Sequence, residues 1–429
     1  MKKLAIRGGN KLSGIIEISG AKNATLPIMV ASILSKEDLT LSNIPHVSDI
    51  AIMANILIKL GVNFNLKSLD KNKGFEGKVI TLNGKNINNF EASYDLVSKM
   101  RASILTLGAL LARFGEAKVS LPGGCAIGTR PVDLHLKALE KMGAKIEIKN
   151  GYVKAKTKTG RLKGANIKFD KISVGATQNI LMAACLAQGK TIIENAAMEP
   201  EIIDLADCLI KMGAKISGAG TKTIEIIGVE VLNGANHHII GDRIEAGTYA
   251  IAAAMTNGEI ILKGATMLLF DAVKKDFTKA GIDIVRVDDQ SIKAKRKSSH
   301  ISPVSISTKE YPGFPTDMQA QFMALMTIAQ GESEIKEDIF ENRFMHVLEL
   351  VRMGADIEYK GNIAKVRGVK NLSCAEVMAT DLRASASLVL AALTVKEETI
   401  INRLYHLERG YERMAEKLYS CNADVKILY

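Results

Sequence analysis

Nowhere does this sequence hold an apolar run long enough to cross a membrane. The longest, Ile180 to Ala187, stops near half of the ~18 residues that a span requires. Lys2 and Lys3 have no apolar segment behind them, because Arg7 and Lys11 interrupt it; the start reads as that of a mature cytoplasmic protein, not a signal peptide. Cysteine is scarce. Its five residues (125, 185, 208, 374 and 421) are an odd number, widely spaced and without a C-x-x-C pair, which argues against a disulfide framework and against a zinc site. Neither G-x-G-x-x-G nor G-x-x-x-x-G-K-[ST] occurs, so a Rossmann or P-loop nucleotide site has no support, and no H-E-x-x-H suggests a metal. The histidines His46, His346 and His406 read as solvent-facing or capping, and His237 and His238 as exposed at a strand start. One-sidedness of charge is also lacking. The net +11 is spread along the chain with one short cluster, Lys293 to Lys297, and it suits a solvated surface, small anions or nucleic acid equally well.

What is present is repetition. At 429 residues, two domains are the default. A helix-ending tag recurs at Gly61, Gly143, Gly213, Gly281 and Gly354, with a degenerate copy at Asn422, spaced 68 to 82 residues apart. Each tag follows an amphipathic stretch, and glycine just past the last periodic residue is the expected helix C-cap. A second helix rich in small residues begins near Ala24, Ala102, Ala176, Ala246, Ala320 and Ala384. With the short strands between them, and a hairpin around Asn150-Gly151, the unit reads as βαβαββ. The sixth unit meets Tyr429 before its strands are complete, while Leu4–Arg7 and Gly14–Ile18 are unassigned strands at the other end. The N-terminus is therefore expected to supply the missing pairing. The domains become 20–239, and 1–19 with 240–429, three units each.

The strand-to-helix junctions carry unusual polar residues. One step before each small-residue alanine stand Asn23, Arg101, Gly175, Glu245, Gln319 and Arg383; three steps before stand Ala21, Lys99, Ser173, Arg243, Asp317 and Asp381. Basic residues oppose the helix dipole at this end, so these are either solvated charges or anion sites. The loop Pro122 to Arg130 is more pointed. Glycines 123, 124 and 128 surround Cys125, Pro131 opens the next helix, and Arg130 is near; helix start and cation both favour a thiolate. Cys185 and Cys208 lie on apolar helical faces and read as inert core.

Several segments together carry a resemblance: Ser19 to Ala24 (SGAKNA), Met100 to Ser103, Leu121 to Asp133 (LPGGCAIGTRPVD), Ser173 to Thr177, Tyr311 to Asp317, Phe340 to Phe344, Asp381 to Ser385 and Glu408 to Tyr411. Over essentially its whole length the chain resembles the enolpyruvyl transferases, specifically the UDP-N-acetylglucosamine 1-carboxyvinyltransferase family. The resemblance implies an α/β fold, a two-domain inside-out barrel of six βαβαββ units arranged three plus three. It also implies transfer of enolpyruvate from phosphoenolpyruvate to the 3′-hydroxyl of UDP-N-acetylglucosamine, the first committed step of peptidoglycan synthesis. Phosphate is released by addition and then elimination, with no metal or organic cofactor, and with neither nucleic acid nor membrane as partner. By position, Lys22, Arg130 and Arg409 would surround the phosphate, with Asn23 beside them, and Arg343 and Arg383 would meet the carboxylate. Cys125 would be a general acid that also forms a phosphoenolpyruvate adduct and is alkylated by fosfomycin. Asp317 would be the base for the sugar hydroxyl. Arg130, Pro131, Val132, Asp133, Leu134, Lys171, Ser173, Val174 and Gly175 match uridine and diphosphate contacts; Asn23, Asp317 and Ile339 match sugar contacts, and Arg101 belongs with them. Contributions from both halves would imply closure over substrate, with the Cys125 loop as lid. The alternatives are a transferase acting on shikimate 3-phosphate and, further off, a non-catalytic nucleic-acid binder.

Overall fold

The computed structural model describes residues 2–67, 78–98, 100–121 and 132–429. They divide into two compact units, one within 20–240 and the other from 2–19 with 241–429. Ile240 goes with the first, where its carbonyl accepts from the Ala21 N–H at 2.7 Å. Each unit has its own hydrophobic core. Among the described residues no helix is long and apolar enough to cross a membrane.

Each unit contains three four-stranded sheets of one pattern, a parallel strand, a central strand and an antiparallel pair. In the third sheet Asn166–Lys168 runs parallel to Lys190–Glu194, which pairs antiparallel with Thr223–Ile227, itself paired with Lys215–Ser217. The helices Val174–Cys185 and Pro200–Lys211 connect these strands, giving βαβαββ. The first sheet is closed from a distance: Ala235–His238, at the end of the unit, lies parallel to Asp38–Ile44. The second unit closes through the N-terminus, which serves two sheets. Lys3–Arg7 is sandwiched antiparallel between Glu398–Asn402 and Asp424–Leu428, and Ser13–Glu17 runs parallel to Glu259–Lys263.

The two helices of each repeat differ in burial because they differ in side-chain pattern. Inner helices such as Lys22–Ala31, Val174–Cys185, Arg243–Met255 and Leu382–Ala392 are buried almost all round. Small residues let them approach one another: a Cβ at Gly108 would fall 2.2 Å from Asn179 Oδ1, the atom that accepts the Gly108 N–H. Outer helices such as Ser48–Leu60 and Pro200–Lys211 bury one stripe. All six tag residues are left-handed, with φ of 103° at Gly61, 92° at Gly143, 104° at Gly213, 91° at Gly281, 85° at Gly354 and 73° at Asn422. Asparagine is among the few side chains that tolerate this region, so the degenerate tag keeps the geometry of the others.

One inner helix starts later than its alanine suggests, and a second starts where expected but is preceded by a similar turn. Ala102 lies in the 3-10 turn Arg101–Ile104 ahead of Leu105–Phe114, and Asp317 in the turn Thr316–Met318 ahead of Gln319–Met326. Tight turns of this kind are common at helix ends. Here the second one lifts Asp317 off the helix proper.

Candidate active site

Cys125, Arg130 and Pro131, with the whole loop 122–131, lie outside the described residues, as does Lys99. The remaining candidate residues fall into two groups, one in each unit.

In the unit within 20–240, helix starts provide the scaffold. Lys22 is the first residue of Lys22–Ala31, and its ammonium meets the buried Asp49 carboxylate at 3.1 Å. The Asn23 carbonyl accepts from Gln178 Nε2 at 3.4 Å. Ser173 caps Val174–Cys185, its hydroxyl accepting from the Ala176 N–H at 3.2 Å. Val132 is buried, Leu134 half-buried, Lys171 exposed, and Asp133 forms a surface pair with Lys137 at 3.6 Å. Beneath this group sits His135, which carried no role in the sequence. A Cβ added at Gly175 would lie 3.4 Å from its ring, ordinary contact distance, so the Ser173–Gly175 segment packs directly over the imidazole. Asn179 donates from Nδ2 to His135 Nδ1 at 2.9 Å and accepts from Gly108 through Oδ1, which fixes the neutral tautomer protonated on Nε2. Burial, then the charge of Arg101, pushes the His135 pKa down to about 4.

In the other unit the structure joins three residues drawn from three motifs. Asp317 Oδ1 accepts from Arg343 Nη2 at 2.7 Å, and Oδ2 accepts from Arg383 Nη2 at 2.9 Å. The arginine side chains are 5% and 3% exposed and that of Asp317 is 26% exposed, so the cations are fixed in the interior while the anion has an open side. Burial disfavours the Asp317 charge, but Arg383 and Arg343 outweigh it and hold the carboxyl well below the usual carboxylate range. Arg383 is the second residue of Leu382–Ala392, where a cation opposes the dipole. Two anions offset that: Asp317, and Asp381, whose side chain caps the Arg383 and Ala384 N–H groups at 2.7 and 3.0 Å.

Around this triad stands support that sequence reading missed. Arg343 Nη1 donates to Thr316 Oγ1 at 2.9 Å, and that hydroxyl donates to Glu337 Oε2 at 2.9 Å. The buried Glu337 also accepts from Thr308 and from the Ile339 and Phe340 N–H groups. One carboxylate thereby sets the Asp317 turn, the Ile339 backbone and one arginine. The Arg343 guanidinium lies 5.3 Å from the Phe340 ring centroid, and that of Arg383 lies 5.5 Å from that of Tyr411. Gln321 Nε2 donates to the Tyr411 hydroxyl and to the Asp317 carbonyl, both at 2.9 Å. Thr316 and Tyr411 lay inside recognisable motifs without a role; Glu337 had no signal at all. Arg409 ends the turn Leu404–Arg409, and after burial its charge is the next cause holding the His406 pKa down. Three donors of the buried arginines, Arg343 Nε, Arg383 Nε and Arg383 Nη1, have no hydrogen-bond partner among the described residues.

The histidine readings need correction. His346 is 1% exposed, and burial pushes its pKa down to about 4 despite nearby Asp381. His237 is also buried, held by Asp204 Oδ1 at 3.0 Å and Lys211 Nζ at 3.2 Å. Local polarity misled because both lie where one element packs on another. A pH effect follows. His135 and His346 titrate lower in the fold than the ~6.5 of an unfolded chain, so the unfolded state binds more protons between those values. Stability is full above pH 6.5 and is lost as pH falls toward 4, by roughly 3 kcal/mol per histidine. Asp317 adds a loss of the same sign only below about pH 4. Urea midpoints measured from pH 7.5 to 4 should fall steadily; a flat profile would show that neither imidazole is held neutral. Cys185 and Cys208 are buried with pKa values pushed up to about 12 by burial, so both are inert as thiols.

Comparison with known proteins puts these groups in context. The family model for EPSP synthase (3-phosphoshikimate 1-carboxyvinyltransferase) matches residues 6–418. The UDP-N-acetylglucosamine 1-carboxyvinyltransferase of Paramagnetospirillum magneticum is 57% identical over 428 residues, covering 100% of this chain and 99% of the relative. That of Brucella ovis is 56% identical over 427 residues, covering 99% of each. Among solved structures, the enolpyruvyl transferase NikO from Streptomyces tendae superposes with a TM-score of 0.88 at 24% identity, covering 100% of this chain and 99% of that one. EPSP synthase from Acinetobacter baumannii gives 0.75 at 18% identity, covering 100% of both. Likeness at that identity speaks for the inside-out α/β barrel fold and no further. High identity along the full length speaks for more: the chain belongs to the EPSP synthase family of enolpyruvyl transferases and, within it, to the UDP-N-acetylglucosamine 1-carboxyvinyltransferases.

Proposed function

We propose that this protein transfers the enolpyruvyl group of phosphoenolpyruvate to the 3′-hydroxyl of UDP-N-acetylglucosamine, releasing phosphate and committing the sugar to peptidoglycan synthesis. Full-length identity to relatives of that name supports the reaction, and one observation supports the site. Two buried, rigidly held guanidiniums keep N–H donors that bond nothing among the described residues, which suits a carboxylate ligand.

The chemistry divides into two steps. In the addition, C3 of phosphoenolpyruvate gains a proton, the 3′-oxygen bonds to C2, and the hydroxyl proton passes to a base. In the elimination, the bond from C2 to the phosphate oxygen breaks, C3 gives up a proton, and the double bond returns. Positive charge develops at C2 between two anionic groups, so the cations that hold those groups must do so without neutralising the centre. We assign the carboxylate to Arg343 and Arg383, and the phosphate to Lys22, Arg130 and Arg409 with Asn23 alongside. Cys125 serves as the acid at C3 and Asp317 as the base at the 3′-oxygen. The nucleotide falls to Arg130, Pro131, Val132, Asp133, Leu134, Lys171, Ser173, Val174 and Gly175; the sugar to Asn23, Asp317 and Ile339, with Arg101 in the same site. Both substrates are charged metabolites, consistent with work in the cytoplasm.

Phosphate release from phosphoenolpyruvate is the direct test. It should require UDP-N-acetylglucosamine, be absent with shikimate 3-phosphate, and stop after treatment with fosfomycin. Release driven by shikimate 3-phosphate instead would overturn the choice of acceptor. Cys125→Ala should lose turnover, whereas Cys125→Asp should retain it and resist fosfomycin.

A further inference from the structure

The base assigned above is, in this structure, a poor base. Both oxygens of Asp317 are engaged by guanidinium N–H groups, and a carboxylate so held has little affinity for a proton. The same guanidiniums are those assigned to the substrate carboxylate. Asp317 and the substrate therefore compete for one pair of cations.

The geometry decides which competitor is the better ligand. Asp317 touches only Nη2 of each arginine, leaving both Nε groups, and Nη1 of Arg383, without a partner among the described residues. Arg343 also uses Nη1 on Thr316, so its one spare donor is Nε, whereas Arg383 has two, and all three are covered by protein while Asp317 is in place. A free carboxylate is not tied to a backbone and can approach Nε and Nη2 of a guanidinium together, the bidentate arrangement that the group favours. Mobility points the same way. Arg343 is anchored through Thr316 to Glu337 and lies against Phe340, while Arg383 lies on a capped helix against Tyr411. The Asp317 backbone is held by Gln321 and its turn by Glu337, but its side chain is about one quarter exposed and can rotate toward the open side, so it is the member that can leave.

We propose that Asp317 is an internal stand-in for the substrate carboxylate: phosphoenolpyruvate displaces it from Arg343 and Arg383, and the displacement turns it into a base. The inference rests on the assignment of the two arginines to that carboxylate. Displacement removes the two hydrogen bonds that stabilise the charge and brings a like charge close, and both changes raise proton affinity. The base is then switched on only when the second reactant is present, so an acceptor hydroxyl is not deprotonated in its absence.

The test separates affinity from turnover. With the internal competitor removed, phosphoenolpyruvate should bind Asp317→Asn and Asp317→Ala about tenfold or more tighter than the unaltered protein. KM for phosphoenolpyruvate and kcat should fall together. Binding is read by calorimetry, and folding by circular dichroism. Equal or weaker affinity in both folded variants overturns the proposal, because a base that did not compete would leave affinity unchanged. Should both variants fail to fold, the unaltered protein decides. Its difference infrared spectrum on adding phosphoenolpyruvate should lose the band of a guanidinium-paired aspartate, and a spectrum without that loss overturns the exchange. If phosphoenolpyruvate binds none of the three proteins, the transferase reading fails; if it binds all three equally, only the exchange does.

Discussion

Replacing Arg383 by alanine should lower kcat/KM for phosphoenolpyruvate by about 10²- to 10³-fold, the range expected when one partner of a buried, hydrogen-bonded charge pair is truncated. Two losses combine. One fork assigned to the substrate carboxylate disappears, and Asp317 keeps only the Arg343 bond at 2.7 Å. The helix start should survive, because its cap is Asp381 and the capped groups are backbone N–H. Arg383→Lys should recover little, since an ammonium offers neither the planar fork nor the same fit against the Tyr411 ring. Steady-state kinetics with a thermal melt as control would check this. A variant with near-normal kcat/KM would remove Arg383 from the site.

The second large effect is on stability. Lys417 and Glu245 form a pair at 2.7 Å with side chains 3% and 2% exposed, joined by Ser19, whose hydroxyl accepts from Lys417 at 2.8 Å and whose N–H donates to Glu245 at 2.7 Å. Removing one member leaves the other buried and unpaired, so Lys417→Met should destabilise the unit by about 3–5 kcal/mol. For a unit near 200 residues that is roughly 10 °C in Tm. The pair itself is a different matter. Burial raises the Glu245 pKa even against the Lys417 charge, which says that desolvation weighs heavily on the pair. The double variant Lys417→Met, Glu245→Leu should therefore be far less damaged than the single one. Calorimetric melts of the two variants decide it; equal losses in both would show that the ammonium matters for something other than its partner.

How legible all this was depends on the range of the interaction. The glycine and asparagine tags could be read because a helix must end locally, and few residues adopt the left-handed conformation that ends it. Alanine-rich runs announced the buried helices for a similar reason: small side chains are what close helix packing demands. The two N-terminal strands were visible as unassigned segments, and a sixth unit short of strands told where Lys3–Arg7 was needed, but nothing said that Ser13–Glu17 would lie beside Glu259–Lys263. The triad was legible only in pieces. Asp317 lies 26 residues from Arg343 and 66 from Arg383, and each motif was recognisable, yet nothing in their spacing said that the three would meet. Glu337 left no trace, because what defines it is a set of donors from residues 308, 316, 339 and 340 converging on one carboxylate. The buried His237, read as exposed, and the buried His346, read as solvent-facing or capping, were misjudged for the same reason.

By itself, then, the sequence determined the repeat, the division into three units plus three, the family and the roster of candidate residues, all of which follow from local conformational preference or from motif identity. The tertiary structure alone decided that Ala235–His238 closes the first sheet, that an imidazole lies under Gly175, and that Asp317 sits between two arginines. Those facts depend on burial and on charges brought together across long stretches of chain, where removal from water makes each pairing strong and each unpaired group costly.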